Sequence, residues 1–137
     1  MVTKKELIKA HRILWNYIAE QNANGYNISK YDAFNEIKWE LYFSSTNFVE
    51  LDNLFMNHNS CFACIYSVNK NTCMTRDCKY CPFVWEDLGY SCSFCDCVNS
   101  YYALWIVAIE NHNIKKASEY AHKIANLPLK KGVEEND

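Results

Sequence analysis

Cysteine is missing from the first 60 and the last 40 residues of this 137-residue chain, and all eight cysteines fall between Cys61 and Cys97. Glycine (3) and proline (2) are scarce, and neither sign of charge dominates, with 14 Lys and Arg against 16 Asp and Glu. Long apolar runs are also lacking. The longest, Tyr101 to Ile109, is nine residues, far below the ~20 that span a bilayer as a helix, so it reads as a core segment. The near-neutral balance, with an isoelectric point near 6.1, argues against a protein whose whole surface grips phosphates. The opening stretch Met1-Val2-Thr3-Lys4-Lys5-Glu6-Leu7 has no uninterrupted apolar core of the kind a secretory signal needs, and no export is expected. With 50% hydrophobic residues, a chain of this length buries a core without staples, which sets aside a disulfide-scaffold miniprotein. In the cytoplasmic setting this implies, thiols stay reduced, and clustered cysteines serve as metal ligands or redox groups more often than as disulfides.

The pattern predicts a mainly α, single-domain chain of about four helices around a central cysteine-rich metal-binding loop region. Thr3-x-x-Glu6 has the spacing of a capping box, and Leu7, His11, Leu14 and Ile18, widened by Ile8 and Trp15, form one face of a helix over about 4–23 that Gly25 can stop. Ser29 and Asp32 repeat the cap signal before a second helix at about 30–43, with Tyr31, Phe34, Ile37 or Lys38, and Leu41 facing inward. These make an N-terminal helical part over 4–43. Residues 44–60 mix a short-helix pattern with turn formers, and the cysteine-rich insert spans 57–98 without a sustained period. The C-terminal helices fill 99–127. Asn99 can cap one carrying Tyr102, Trp105, Ile106 and Ile109, and Asn113 one carrying Ile114, Ala117, Ala121 and Ile124, with Leu127-Pro128 as its stop. Residues 130–137 read as a flexible, charged tail. The two helices at each end can pair as hairpins around a shared core.

The thiols fall as Cys61-x2-Cys64, Cys73-x4-Cys78-x2-Cys81 and Cys92-x2-Cys95-x-Cys97. Two residues between cysteines let a tight turn aim both sulfurs at one ion, and two such turns complete a tetrahedral zinc shell at about 2.3 Å per bond. Cys61, Cys64, Cys78 and Cys81, with thirteen residues between the pairs, make a first site. Cys73, Cys92, Cys95 and Cys97 remain as a second site or as rival ligands. Glycine is absent just after each second cysteine of the three pairs, where Ile65, Pro82 and Asp96 stand, and Pro82 has no N–H to give a sulfur. Zinc is the preferred ion. An iron–sulfur cluster is the alternative, since Cys81-Pro82 and the Cys73-Cys78-Cys81 spacing occur in such ligand runs, and disulfides or free thiols are the third case. Each zinc held by four thiolates adds −2, taking the formal −2 to −4 with one site and to −6 with two. Such an ion has no open position for substrate, so it folds the chain rather than catalyses.

No enzymatic constellation competes with this reading. A zinc deaminase needs His-x-Glu and Pro-Cys-x-x-Cys; here the order is Cys81-Pro82 and none of the four histidines has a glutamate two residues on. His58 reads as a solvated loop residue, and His11 as a packed or hydrogen-bonded neighbour of Trp15. Lys115, Lys116, Lys123, Lys130 and Lys131 give the last helix a basic side, diluted by Glu119, Glu134 and Glu135; with Lys70, Arg76 and Lys79 it supports nucleic-acid contact only as a lesser alternative. Aromatics make up 15% of the chain. Tyr66, Tyr80, Phe83, Trp85, Tyr90 and Phe94 lie in the aperiodic region, where they either form a small core over the metal or stand exposed as a protein-binding hot spot.

Several stretches together resemble a set of small, mostly uncharacterised cysteine-rich proteins of phages and prophages of low-GC Gram-positive bacteria. They are His11-Arg12-x-x-Trp15-x-x-Ile18-Ala19-Glu20, Cys61-x-x-Cys64, Cys78-x-x-Cys81-Pro82-x-x-Trp85, Cys92, Tyr101-Tyr102-x-x-Trp105, Lys116-Ala117 and Ile124-Ala125-Asn126-Leu127-Pro128. Residues 44–57 and Cys73, Cys95 and Cys97 depart from that pattern, and Cys92 belongs to it. The resemblance implies a mobile-element origin and action in the host cytoplasm, with no enzymatic assignment. The expectation is a non-enzymatic, zinc-stabilised protein that binds a host or phage protein and modulates or inhibits it, for instance a host antiphage defence system, without a membrane. A small nucleic-acid-binding zinc regulator and an iron–sulfur sensor are the alternatives.

Overall fold

The computed structural model describes residues 3–44, 49, 52–53, 83 and 101–129. Among these, four helices form: α1 (Lys4–Ala23), α2 (Lys30–Ser44), α3 (Tyr101–Glu110) and α4 (Ile114–Ala125). The expected Asn99 cap, most of residues 44–60, the cysteine-rich insert apart from Phe83, and the 130–137 tail lie outside the described residues. Helix starts follow the cap residues. The Glu6 N–H donates to Thr3 Oγ1 at 3.1 Å, Asp32 N–H to Ser29 Oγ at 3.1 Å, and Lys116 N–H to Asn113 Oδ1 at 3.4 Å, each satisfying an N–H that the first turn of a helix leaves over.

Two helix ends close in the same way. After α1, Gly25 takes the left-handed conformation at φ 93°, its N–H bonds to Asn22 O at 3.0 Å and the Tyr26 N–H to Gln21 O at 2.9 Å. This is a Schellman close, and nothing stands within 4 Å of the place a Cβ would occupy, so the backbone angle alone explains the glycine. After α3 the pattern repeats without one. His112 stands at φ 56°, its N–H bonds to Ile109 O at 3.1 Å and the Asn113 N–H to Ala108 O at 2.8 Å.

The two hairpins pack on each other mainly through α1 and α4. Leu7, Ile8, His11, Leu14, Trp15, Ile18, Ala19 and Asn22 of α1 are buried, as the helical period requires. They meet Ala117, Ala121, Ile124 and Ala125 of α4, where alanines one turn apart keep the surface low and let backbones approach. Ser118 Oγ accordingly reaches Ala19 O at 2.9 Å. Helix α3 packs on α4, and α2 packs on α1. On α2, Phe34, Ile37 and Leu41 turn inward with Ala33, while Lys38 is half-buried and Tyr31 stands 46% exposed, against the expectation that it faced the core. Trp15 crosses Trp105 edge to face with ring centres 4.9 Å apart, and Trp105 Nε1 donates to the buried Asn22 Oδ1 at 3.1 Å. Asn22 Nδ2 in turn donates to Tyr26 O at 2.8 Å, so this buried amide and indole satisfy each other and the loop after α1.

A non-glycine residue at left-handed φ is strained. His112→Gly is expected to raise stability by about 0.5–1 kcal/mol, even though it removes the 3.3 Å contact between Asn27 Nδ2 and His112 Nδ1. Urea unfolding of the full chain checks this, and a lowered midpoint would show that the side-chain contact outweighs the backbone strain.

Candidate functional site: the Phe83 seat and the cysteine segment

A helix leaves its last four carbonyls without intrahelical partners, and at the end of α4 all four are taken up. His122 O accepts from the backbone N–H of Asn126 at 3.2 Å and from Asn126 Nδ2 at 2.8 Å, and Lys123 O from the same N–H at 3.3 Å. The last two are reached from α1. His11 Nε2 donates to Ile124 O at 3.0 Å, and Arg12 Nη1 to Ala125 O at 2.9 Å. A carbonyl only accepts, so Nε2 carries the proton of a neutral imidazole. The guanidinium adds positive charge at the negative end of the α4 dipole.

Phe83 closes this corner. It is fully buried, its ring lies stacked on His11 with centres 4.1 Å apart and planes at 29°, and the Arg12 guanidinium carbon sits 5.3 Å from its centre. Its backbone forms an antiparallel bridge with Leu129, which follows the buried Leu127 and the exposed Pro128 beyond the end of α4. Phe83 follows Cys81-Pro82 in the sequence. The cysteine-bearing stretch is thus joined to the helices at the junction of α1 and α4. Of the aromatics weighed between packing and exposure, Phe83 is the described one, and it packs into the helical core itself.

The candidate ligands Cys61, Cys64, Cys78 and Cys81, and likewise Cys73, Cys92, Cys95 and Cys97, lie outside the described residues, as does His58. Among the described residues no group of three or more His, Cys, Asp or Glu is placed to hold a metal. His11 is committed to the α4 end, and His112 and His122 are exposed. Lys115, Lys116 and Lys123 are exposed on α4, but Lys116 Nζ lies 3.4 Å from Glu119 and Lys123 Nζ 5.1 Å from the Tyr101 ring centre. No helix among the described residues is long and apolar enough to cross a membrane. Comparison with known protein families, with curated proteins and with solved structures finds no match for this chain.

Sequence reasoning singled out His11 as a packed residue but not the role of Arg12, nor Asn22, nor the Phe83 seat. His11-Arg12 and Ile124-Ala125 were visible only as separate stretches. Their meeting joins residues 113 positions apart, a distance over which helical periodicity carries no signal.

Burial holds the His11 pKa down to about 3, opposed by its hydrogen bond to the Ile124 carbonyl and assisted by the neighbouring Arg12 charge. An unfolded-chain histidine protonates near pH 6.5, so between these values the unfolded state binds the extra proton. Stability then falls with falling pH by about 1.4 kcal/mol per pH unit through this group. Urea unfolding of wild type and His11→Gln should show the advantage of wild type shrinking at that rate from pH 6 to pH 4.5, an expected range that follows from the same pair of pKa values. A constant difference would mean that His11 is not buried neutral. Phe83→Ala should cost about 3–5 kcal/mol. A loss near zero in the same assay would remove the seat from the core.

Proposed function

We propose that this protein is a non-enzymatic, zinc-stabilised phage-type protein that binds a host or phage protein and modulates or inhibits it, with a host antiphage defence system as the kind of target the resemblance suggests. The observation that carries this reading is the burial of Phe83 against His11 and Arg12. It ties a thiol-rich, aperiodic stretch to a preformed helical base, the arrangement in which a four-thiolate metal orders loops for recognition. The donor set fits zinc. Thiolates are its usual structural ligands, and Cys61, Cys64, Cys78 and Cys81 supply the four that a closed tetrahedral shell requires. Such an ion contributes folding free energy and leaves no position for a substrate.

The surface agrees with binding to a protein more than to nucleic acid. Trp39 and Tyr26 are each 62% exposed, and large aromatics of this kind are enriched at protein interfaces, whereas two of the three described lysines on the basic side of α4 are engaged with Glu119 and Tyr101. The preference for zinc over an iron–sulfur cluster rests on the spacing of the thiols in the sequence.

Native mass spectrometry with elemental analysis, followed by capture from host lysate, tests the proposal. The expected result is a chain with bound zinc that retains one specific protein and loses it on chelation. A metal-free mass lowered by disulfide formation, or a brown, iron-containing preparation made without oxygen, would sink the zinc reading. Metal-dependent turnover of a substrate would sink the non-enzymatic one.

A further inference from the structure

Between α1 and α2 runs an open groove of about 560 Å³, on the part of the fold where α2 packs on α1. Its walls carry Tyr17, Tyr26, Asp32, Asn35 and Glu36, and among the described residues no cationic side chain lines it. Of the two lysines on α2 that stand two residues from these carboxylates, Lys38 is half-buried and Lys30 directs its ammonium to the Tyr102 ring of α3, 4.6 Å from the ring centre. Among the described residues the groove is therefore acidic and aromatic, with no lining cation to neutralise the carboxylates. The Tyr17 hydroxyl donates to Glu36 Oε2. This bond, with partial burial and the charges of Glu36 and Glu20, pushes the tyrosine pKa up to about 12, so the phenol stays neutral and holds Glu36 in place. Tyr26, 62% exposed, is fixed at its backbone by the Schellman close of α1 and by Asn22, which presents its ring on a rigid base.

We infer that this groove docks arginine side chains from an extended basic segment of a partner protein, with the guanidinium set against Asp32 and Glu36 and beside the tyrosine faces. Arginine fits better than lysine. Its planar fork bonds carboxylates in pairs and stacks on aromatic rings, while Glu36, with one hydrogen bond from Tyr17, retains acceptor capacity as a carboxylate with several lone pairs. Phosphate-bearing ligands are disfavoured by the same charges. An open groove also leaves one side of its occupant in water, as an extended chain requires.

This deepens the protein-binding reading by naming the partner's chemistry, and its test needs no host protein or bound metal, so the two can fail separately. ¹⁵N-labelled full-length protein is titrated with the peptide acetyl-Ala-Arg-Ala-Arg-Ala-amide and with its citrulline counterpart, which keeps the shape and removes the charge. The arginine peptide should move the amides of Tyr26, Ile28, Asp32 and Glu36 saturably. Binding should weaken severalfold with citrulline, which removes both charges, and about two- to fivefold in Asp32→Asn and in Glu36→Gln. Equal binding of the citrulline peptide, shifts centred away from these amides, or no saturable shift with the unaltered protein would overturn the proposal. Because the citrulline comparison uses the unaltered chain, misfolding of a variant cannot rescue it.

Discussion

The corner where α1 meets the end of α4 is the contact on which the rest of the fold depends. A helix terminus packed into a core exposes carbonyls to a place water cannot reach, and each must find a donor. Here two donors come from consecutive residues of another helix, His11 to Ile124 O and Arg12 to Ala125 O. That pairing sets how far α4 can slide along α1, and the low alanine surface of α4 lets the two approach until Ser118 reaches the α1 backbone. The same corner provides the shelf for Phe83, so helix packing and the seating of the cysteine-bearing stretch share one set of side chains.

A second polar device locks the opposite part of α1. Asn22, buried among apolar neighbours, accepts from Trp105 and donates to the Tyr26 carbonyl. Removing one partner of such a pair leaves the other buried without a hydrogen bond, which is more damaging than its net contribution suggests. The Trp15–Trp105 edge contact lies beside it. Together the two devices fix the middle and the C-terminal end of α1 against the C-terminal hairpin.

The functional proposal follows from this division of labour. The helices form a base in which His11, Arg12 and Asn22 serve packing and Thr3, Ser29 and Asn113 serve capping, while the candidate chemistry is concentrated in the thiols between Cys61 and Cys97. The proposed structural metal at four thiolates and the acidic, aromatic groove on α1 and α2 both suit recognition rather than turnover.

Among the described residues, the four helices, their approximate boundaries and most of their inward faces were legible in the sequence. Thr3, Ser29 and Asn113 declare their helix starts through local side-chain chemistry, and Gly25 declares a stop through its freedom at positive φ. Period-3.6 burial placed Leu7, Leu14, Ile18, Phe34, Ile37, Leu41, Ala117, Ala121 and Ile124 correctly. Tyr31 was misplaced because it lies at the edge of the stripe, where a tyrosine's polar tip can keep it in water. His112 in the left-handed conformation was not legible, since it stands where a glycine is usual and is held by bonds to the preceding turn. By itself the sequence determined the four helices, their apolar faces and the clustering of thiols, all of which rest on interactions within a few residues. Only the tertiary structure decided that His11 and Arg12 cap α4, that Phe83 belongs to the helical core and that the α1–α2 groove is acidic, because those contacts join distant stretches whose pairing no local period encodes.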